Sequence, residues 1–401
     1  MPGPNGIPTR AQTLTSPEAA LREATTIARF CAENAANLDH RDTFPEEEFR
    51  RLAEAGLLAA PLPRAAGGLG FATAAGDMLP GLQLLALLGW GSLAVGRVYE
   101  GHVNALQLIN LFGTAEQVAR AATDARDGQK LFAVWNTQGA NGVHLEPLAN
   151  GGVRLRGAKL YTSGASWVDR AIVPGALPGG GWQICLVPMD RVTTTIDRSV
   201  WQPLGMRASA SYLTDFTGVE LGPEALIGPP GAYHRQPWFS GGAIRFAAVQ
   251  LGGAAALFDA ARTELRTLGR TDDPFQRARA GEGATLLAGG QLWLRGAAAL
   301  LDAHPQAFSA DPAPSPELTA QIMAHANLTR TAIADACVRV IDLVERSVGM
   351  RGLLQPHPIE RIGRDLTLYL RQPAPDAALT GAGNYVLNDP RPTLNLWETE
   401  Q

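Results

Sequence analysis

Cysteine is scarce in this 401-residue chain: Cys31, Cys185 and Cys337 are odd in number and far apart. That spacing excludes a disulfide framework and points to a reducing cytoplasm. Charge is sparse as well, at 18% of residues, and nearly balanced at a net −4. No basic block offers an electrostatic footprint for nucleic acid, which is therefore not an expected partner. Long apolar runs are also missing. The stretch 81–98 is interrupted by Gln83, Gly89 and Gly91 and falls short of the roughly 20 residues a spanning helix needs. No membrane association is expected. The opening MPGPNGIPTR places Pro and Gly where a signal peptide would carry an apolar run.

What the chain does have is 46% hydrophobic residues and 44 glycines. This length and apolar content can bury a large core in two or three packing units. Few charges and much Ala and Gly leave two readings open: a surface covered by another subunit in a homo-oligomer, or a coding bias towards small residues.

The apolar period divides the chain into three parts, expected at 1–125, 126–232 and 233–401. The first reads as helices. Ser16-Pro17-Glu18 supplies a cap and a Pro at the first helical position, with Leu21, Ala24, Ala28 and Cys31 on one face. Thr43 and Glu46 have capping-box spacing ahead of Phe49, Leu52 and Leu57. The middle part carries short β-branched or aromatic runs, LFAVW, GVRLRGAKLYT, RAIVPG, WQICLVPM and TTTID, separated by turn residues. Long Ala/Leu helices return at 242–268, 277–303 and 316–347, and PRPTLNLWETEQ reads as a surface arm. The expected fold is α+β: an N-terminal helical domain, a central β-barrel-like domain and a C-terminal helical bundle.

Four segments, LLAAPLPRAAGGLGF (57–71), FGTAEQ (112–117), LGMRASASYLTDFTGVEL (204–221) and VGMRGLLQPHPIERIGRDLTLYL (348–370), resemble motifs of the acyl-CoA dehydrogenase superfamily. With the order helices, strands, helices, the resemblance runs from about residue 17 to 388. It implies FAD, with FMN as the alternative, held between the β domain and the bundle of a homodimer or homotetramer. Phe132, Val134 and Trp135 of FAVWNTQGAN, and Thr162 and Ser163 of YTSGA, align with the family's flavin-ring segments. Arg270, Arg346, Gly349 and Gly352 match the turns that complete a neighbouring subunit's cofactor site. Read from the residues alone, these glycines suit an ordinary turn, and Trp135 can equally fill the core. The pairs Glu360/Arg364 and Arg361/Asp365 have the spacing of helix-surface ion pairs and are expected to be structural. No metal is expected.

A dehydrogenase of this family needs a carboxylate to remove the α-proton of an acyl thioester. The two places where the family keeps it hold Pro373 and Ile244, and nearby Asp376 reads as a helix cap. A monooxygenase branch of the superfamily needs no such base. It needs a dry pocket with hydrogen-bond donors that prevent loss of peroxide. In sulfur-oxidising members those donors are a histidine, an asparagine and a serine, which resemblance carries onto His102, Asn136 and Ser163; a further histidine expected near Gln372 is replaced. Singly, these three read as a satisfied helix histidine, a turn residue and a strand hydroxyl. The leading expectation is a flavin-dependent oxygenation of a small metabolite, bulky or amine-bearing. An acyl-CoA dehydrogenase with another base and a non-catalytic flavin-binding subunit are the alternatives.

Overall fold

A computed structural model describes residues 14–397. The MPGPNGIPTR start and residues 398–401 lie outside the described residues.

The chain opens with α1 (Pro17–Arg41), α2 (Glu46–Glu54), α3 (Met78–Gly91), α4 (Leu93–Phe112) and α5 (Ala115–Arg126). Ser16 caps α1 as expected, accepting from the Ala19 amide at 3.2 Å. The Thr43/Glu46 capping box does not form. Pro45 is itself the cap residue of α2, so Glu46 sits in the first helical position instead of the third. Proline disfavours helical geometry in the residue before it, which delays the start. A true box opens α5, where Thr114 and Gln117 bond each other reciprocally. The Gln117 amide then donates to Glu224 O and Leu226 O at 3.0 and 2.9 Å, tying the helices to the end of the β segment.

Ten strands follow: β1 (Phe132–Val134), β2 (His144–Pro147), β3 (Val153–Arg156), β4 (Ala158–Thr162), β5 (Arg170–Ala176), β6 (Trp182–Pro188), β7 (Thr195–Asp197), β8 (Tyr212–Asp215), β9 (Glu220–Leu221) and β10 (Leu226–Ile227). They form two open sheets, not a closed barrel: β10-β6-β5-β2-β3-β9 with β1 beside β5, and β4-β8-β7. The run GVRLRGAKLYT breaks at Gly157, whose φ of +103° needs glycine. Its two halves thus join different sheets. β1 and β2 both pair in parallel with β5, Phe132 opposite Arg170 and His144 opposite Ala176. They lie in line along one edge, and the residues between them leave the sheet as a loop.

The last third contains α6 (Trp238–Gly241), α7 (Ala243–Thr267), α8 (Pro274–Asp302), α9 (Pro316–Val348), α10 (Pro358–Tyr369) and α11 (Pro375–Asn388). The long helices start and stop within three residues of the expected bounds. α7 is central, packed on α3, α9 and α10. Residues 238–267 form a stretch long and apolar enough to cross a membrane, but 72% of its apolar window is buried inside the protein. Its apolarity reflects that central place. α3 and α7 cross closely because each puts a glycine on the other's backbone: a Cβ at Gly89 would lie 2.2 Å from Val249 O, and one at Gly252 2.0 Å from Ala86 O. One continuous core cluster draws on all three parts, including Leu52, Leu155 and Leu366. Cutting any of these leucines to alanine costs about 2–5 kcal/mol. The expected C-terminal arm is not free as far as Trp397, which packs on Tyr385 and His325.

Candidate functional site

A cleft of about 670 Å³ opens where the β segment meets α4, α7 and α10. Its β side is the loop that leaves the sheet after β1, with Val134, Asn136 and Thr137, together with Tyr161, Ser163 and the turn before β8. The loop is held from below by Lys159, whose buried ammonium donates to Asn136 O at 3.0 Å and to Gln138 Oε1 at 2.8 Å. Burial pushes this lysine down to about 8. The Asn136 carboxamide itself has no partner among the described residues and stands at the cleft.

Ser163, Ser211 and Ser209 form a chain of hydroxyls, 2.8 and 2.7 Å apart, along the same wall. Three hydroxyl hydrogens serve two mutual bonds, so one donor remains. The turn carrying Ser209 is held in place by α10. Met206 and Ala210 adopt left-handed φ of 60° and 46°, and the Met206 amide donates to Asp365 at 2.6 Å. Burial raises that carboxyl to about 6. Arg364 donates to Leu204 O at 2.8 Å and pairs with Glu360 and with Asp39 at 2.7 Å, and Arg361 lies 3.6 Å from Asp365. The α10 ion pairs are structural, as their spacing implied.

The helical wall was not anticipated. Arg97, Glu100 and Asn104 recur at i, i+3 and i+7 on one face of α4 and line the cleft. Glu100 is buried; one oxygen accepts from Arg97 at 2.6 Å and the other from the Asn104 amide. Buried Arg245 donates to the Asn104 and Gln107 side-chain oxygens and to Ala72 O at 3.1 Å. Burial lowers Arg245 to about 10. The signal was present as a polar stripe on an otherwise apolar helix.

Of the residues picked from sequence, Val134, Asn136 and Ser163 meet in the cleft. His102 does not line it. It lies about 200° round α4 from Glu100, fully buried, and its Nε2 bonds Leu58 O at 2.7 Å while Nδ1 accepts from the Phe132 amide at 3.1 Å. With Nδ1 accepting, the proton sits on Nε2, and burial lowers the imidazole to about 4. Its geometry is that of a histidine tying α4 to β1. Trp135 fills the core and donates to Ser163 O at 3.0 Å, while Phe132 and Thr162 are fully buried. Thr162 bonds Tyr212 O at 2.9 Å.

Arg270, Arg346, Gly349 and Gly352 lie at a different place, the corner where the α7–α8 loop meets the turn after α9, joined by a 3.3 Å bond from Gln276 to Ser347 O. None of them lines the cleft of its own chain. Arg270 faces Asp273 at 3.4 Å and Arg346 faces Asp342 at 2.8 Å, all partly exposed. Gly349 has a φ of +64° and open space around it, whereas Gly352 is packed on Val348. Ile244 is buried and Asp376 is exposed in the first turn of α11, two positions past Ala374, which takes the cap place expected for Asp376.

The helical parts match two halves of one family: "Acyl-CoA dehydrogenase, N-terminal domain" over residues 18–129 and "Acyl-CoA dehydrogenase, C-terminal domain" over 244–370. Dibenzothiophene monooxygenase of Mycolicibacterium goodii is 25% identical over 375 residues, 86% of this chain and 88% of that one. Among solved structures, TdsC of Paenibacillus sp. A11-2, a dibenzothiophene monooxygenase determined with FMN and indole, has a TM-score of 0.83 at 22% identity, covering 94% of this chain and 99% of that one. The methanesulfinate monooxygenase MsuC of Pseudomonas fluorescens has 0.81 at 24%, covering 96% and 100%. These two share the fold. With both terminal domains matched in order around a two-sheet middle segment, the chain belongs to the acyl-CoA dehydrogenase superfamily of flavin-dependent oxidoreductases.

Proposed function

We propose that this protein is a flavin-dependent monooxygenase that adds oxygen to a small organic metabolite in the cleft. The observation that carries the reading is the cleft's chemistry: free hydrogen-bond donors on the β side, and no carboxylate free to take a proton. Glu100 is the acid lining the cleft, and both its oxygens are engaged. Pro373 and Ile244 cannot transfer protons, and Asp376 is outside.

The walls fit a flavin ring. Val134 offers an apolar face, and the Asn136 amide and the serine chain offer donors to a polar edge. Bound reduced flavin would supply the electrons and the activation of oxygen. This chain's residues would do the rest: Asn136 and Ser163 would donate hydrogen bonds to the polar edge of the ring, Lys159 and the α10 clamp keep those donors aimed, and Val134, Phe246 and Leu368 give the cleft apolar surface. His102 is a positioning residue, since it anchors the strand from which the Asn136 loop departs.

FAD is the expected cofactor, and the FMN bound to TdsC supports FMN as the alternative. A homodimer or homotetramer is supported by the exposed corner, where Leu268, Phe275, Met350, Leu353 and Leu354 surround Arg270 and Gly349. Three buried, unpaired cysteines fit a reducing cytoplasm.

The test is a flavin titration by fluorescence, followed by oxygen uptake with reduced flavin and, separately, anaerobic mixing of the oxidised holoprotein with butyryl-CoA. Flavin binding, oxygen use and no bleaching by the thioester are expected. Rapid bleaching abolished by Glu100→Gln would establish a dehydrogenase instead.

A further inference from the structure

The helical wall of the cleft carries donors without acceptors. Arg97 meets Glu100 at 2.6 Å through one terminal nitrogen, and no other acceptor meets this guanidinium among the described residues. A guanidinium has five N–H groups, so most of its donor capacity is unused. The Tyr369 hydroxyl has no hydrogen-bond partner among the described residues, although the residue is only 5% exposed and lines the same cleft. Tyr369 and Tyr233 stand within electrostatic range of the Arg97–Glu100 pair. Burial raises both phenols above their usual range, so each remains an O–H donor at neutral pH.

The charge count points the same way. Arg97, Arg371 and Glu100 line the cleft, and Arg245 stands behind Asn104. Arg97 and Arg245 act on one carboxylate whose two oxygens each already accept a hydrogen bond, and exposed Arg371 adds positive charge at the cleft's rim. A buried donor left unmatched costs free energy, and a surplus positive charge in a partly dry cleft is stabilised by an anion.

We propose that Arg97 and Tyr369 form an anion subsite for the substrate, which therefore carries a carboxylate or a similar oxyanion and not the amine considered from sequence. An amine would instead meet the like charge of the Arg97 guanidinium, with each Glu100 oxygen already accepting a hydrogen bond. Arg97 and Tyr369 belong to the helical side of the cleft and Asn136 and Ser163 to its β side, so an acid anchored on the first can extend its skeleton towards the second. This rests on the monooxygenase reading for the meaning of "substrate", although the anion site itself does not require bound flavin.

The experiment uses benzoate and its neutral isostere benzamide as probes, by calorimetry on the flavin-loaded and flavin-free protein. Benzoate is expected to bind at least about tenfold more tightly than benzamide, the value of one hydrogen bond to a charged group. Tyr369→Phe removes an oxygen that bonds nothing in the free protein, so it should fold normally and weaken benzoate about tenfold while leaving benzamide unchanged. Arg97→Gln should abolish the preference; because it strands Glu100, the Tyr369 variant is the decisive one. Equal binding of the two probes, no binding of either, or a benzoate affinity untouched by Tyr369→Phe overturns the proposal. So does competition of benzoate with FMN but not with riboflavin, which would assign these donors to the cofactor's phosphate. Failure of flavin to bind is read separately by fluorescence and counts against the monooxygenase reading, not against the subsite.

Discussion

The cleft and the far corner of the bundle both depend on arginine, in opposite settings. In the cleft, buried Arg245 is packed into a network with Asn104 and Gln107, and Asn104 in turn donates to Glu100; one chain completes this network by itself. At the corner, Arg270 and Arg346 reach across solvent to a carboxylate on their own loop or helix, beside apolar side chains that this chain leaves uncovered. An ion pair in water contributes about 0–1 kcal/mol, whereas removing one member of a buried network strands its partners. The same residue type is structural where burial surrounds it and available for a partner or ligand where it does not.

The comparison breaks most visibly at Arg245. Arg245→Ala should lower stability by about 3–5 kcal/mol, because Asn104, Gln107 and Ala72 O lose a shared donor and Glu100 loses a nearby positive charge. Urea unfolding of the purified variant checks it; a loss under about 1 kcal/mol would mean the network is solvated.

Acid comes next. Burial lowers His102 to about 4 from an ordinary 6.5, so between those values the unfolded chain binds the proton and the folded chain does not. Stability is therefore full above pH 6.5 and falls as pH drops towards 4, by roughly 3 kcal/mol for a shift of this size. His325, buried in the bundle and also lowered to about 4, adds a similar slope. His102→Phe should flatten about half of the fall between pH 6.5 and 4 while lowering stability at neutral pH, since the Leu58 carbonyl and Phe132 amide are left unpaired. It should raise released peroxide far less than loss of a cleft donor does, which separates a positioning histidine from a donor in the cleft.

Asn136→Ala and Ser163→Ala should do the reverse: little change in unfolding, but coupled oxygen transfer reduced on the order of 10²-fold, with peroxide released instead. Peroxide assay during turnover with reduced flavin is the readout. The smallest effect is expected at the corner. Arg270→Ala should move unfolding by less than about 0.5 kcal/mol in the isolated chain. It should weaken flavin binding only in an assembled oligomer, which light scattering alongside a flavin titration would detect.

Much of this was legible in the residues themselves. Hydrophobic period and proline placement are local, and they marked the three-part order and the long bundle helices within a few residues. Asn136 and Ser163 are carried over only by the resemblance of their turn and strand strings to the family; read singly they are a turn residue and a strand hydroxyl. Local pattern misled at Thr43, where Pro45 took over the cap; in the middle segment it marked the strands of a barrel-like domain without disclosing that they form two open sheets. It could not separate His102 from Glu100, two residues apart on one helix. Which of them faces the cleft depends on the rotation of α4 against β1 and α7, a consequence of packing between segments distant in sequence. That Arg97 and the unpartnered Tyr369, 272 positions apart in the chain, line one cleft is likewise a decision of tertiary structure. Sequence determines which side chains are available and their period; only the packed fold decides which of their hydrogen-bonding groups are satisfied and which are left for a ligand.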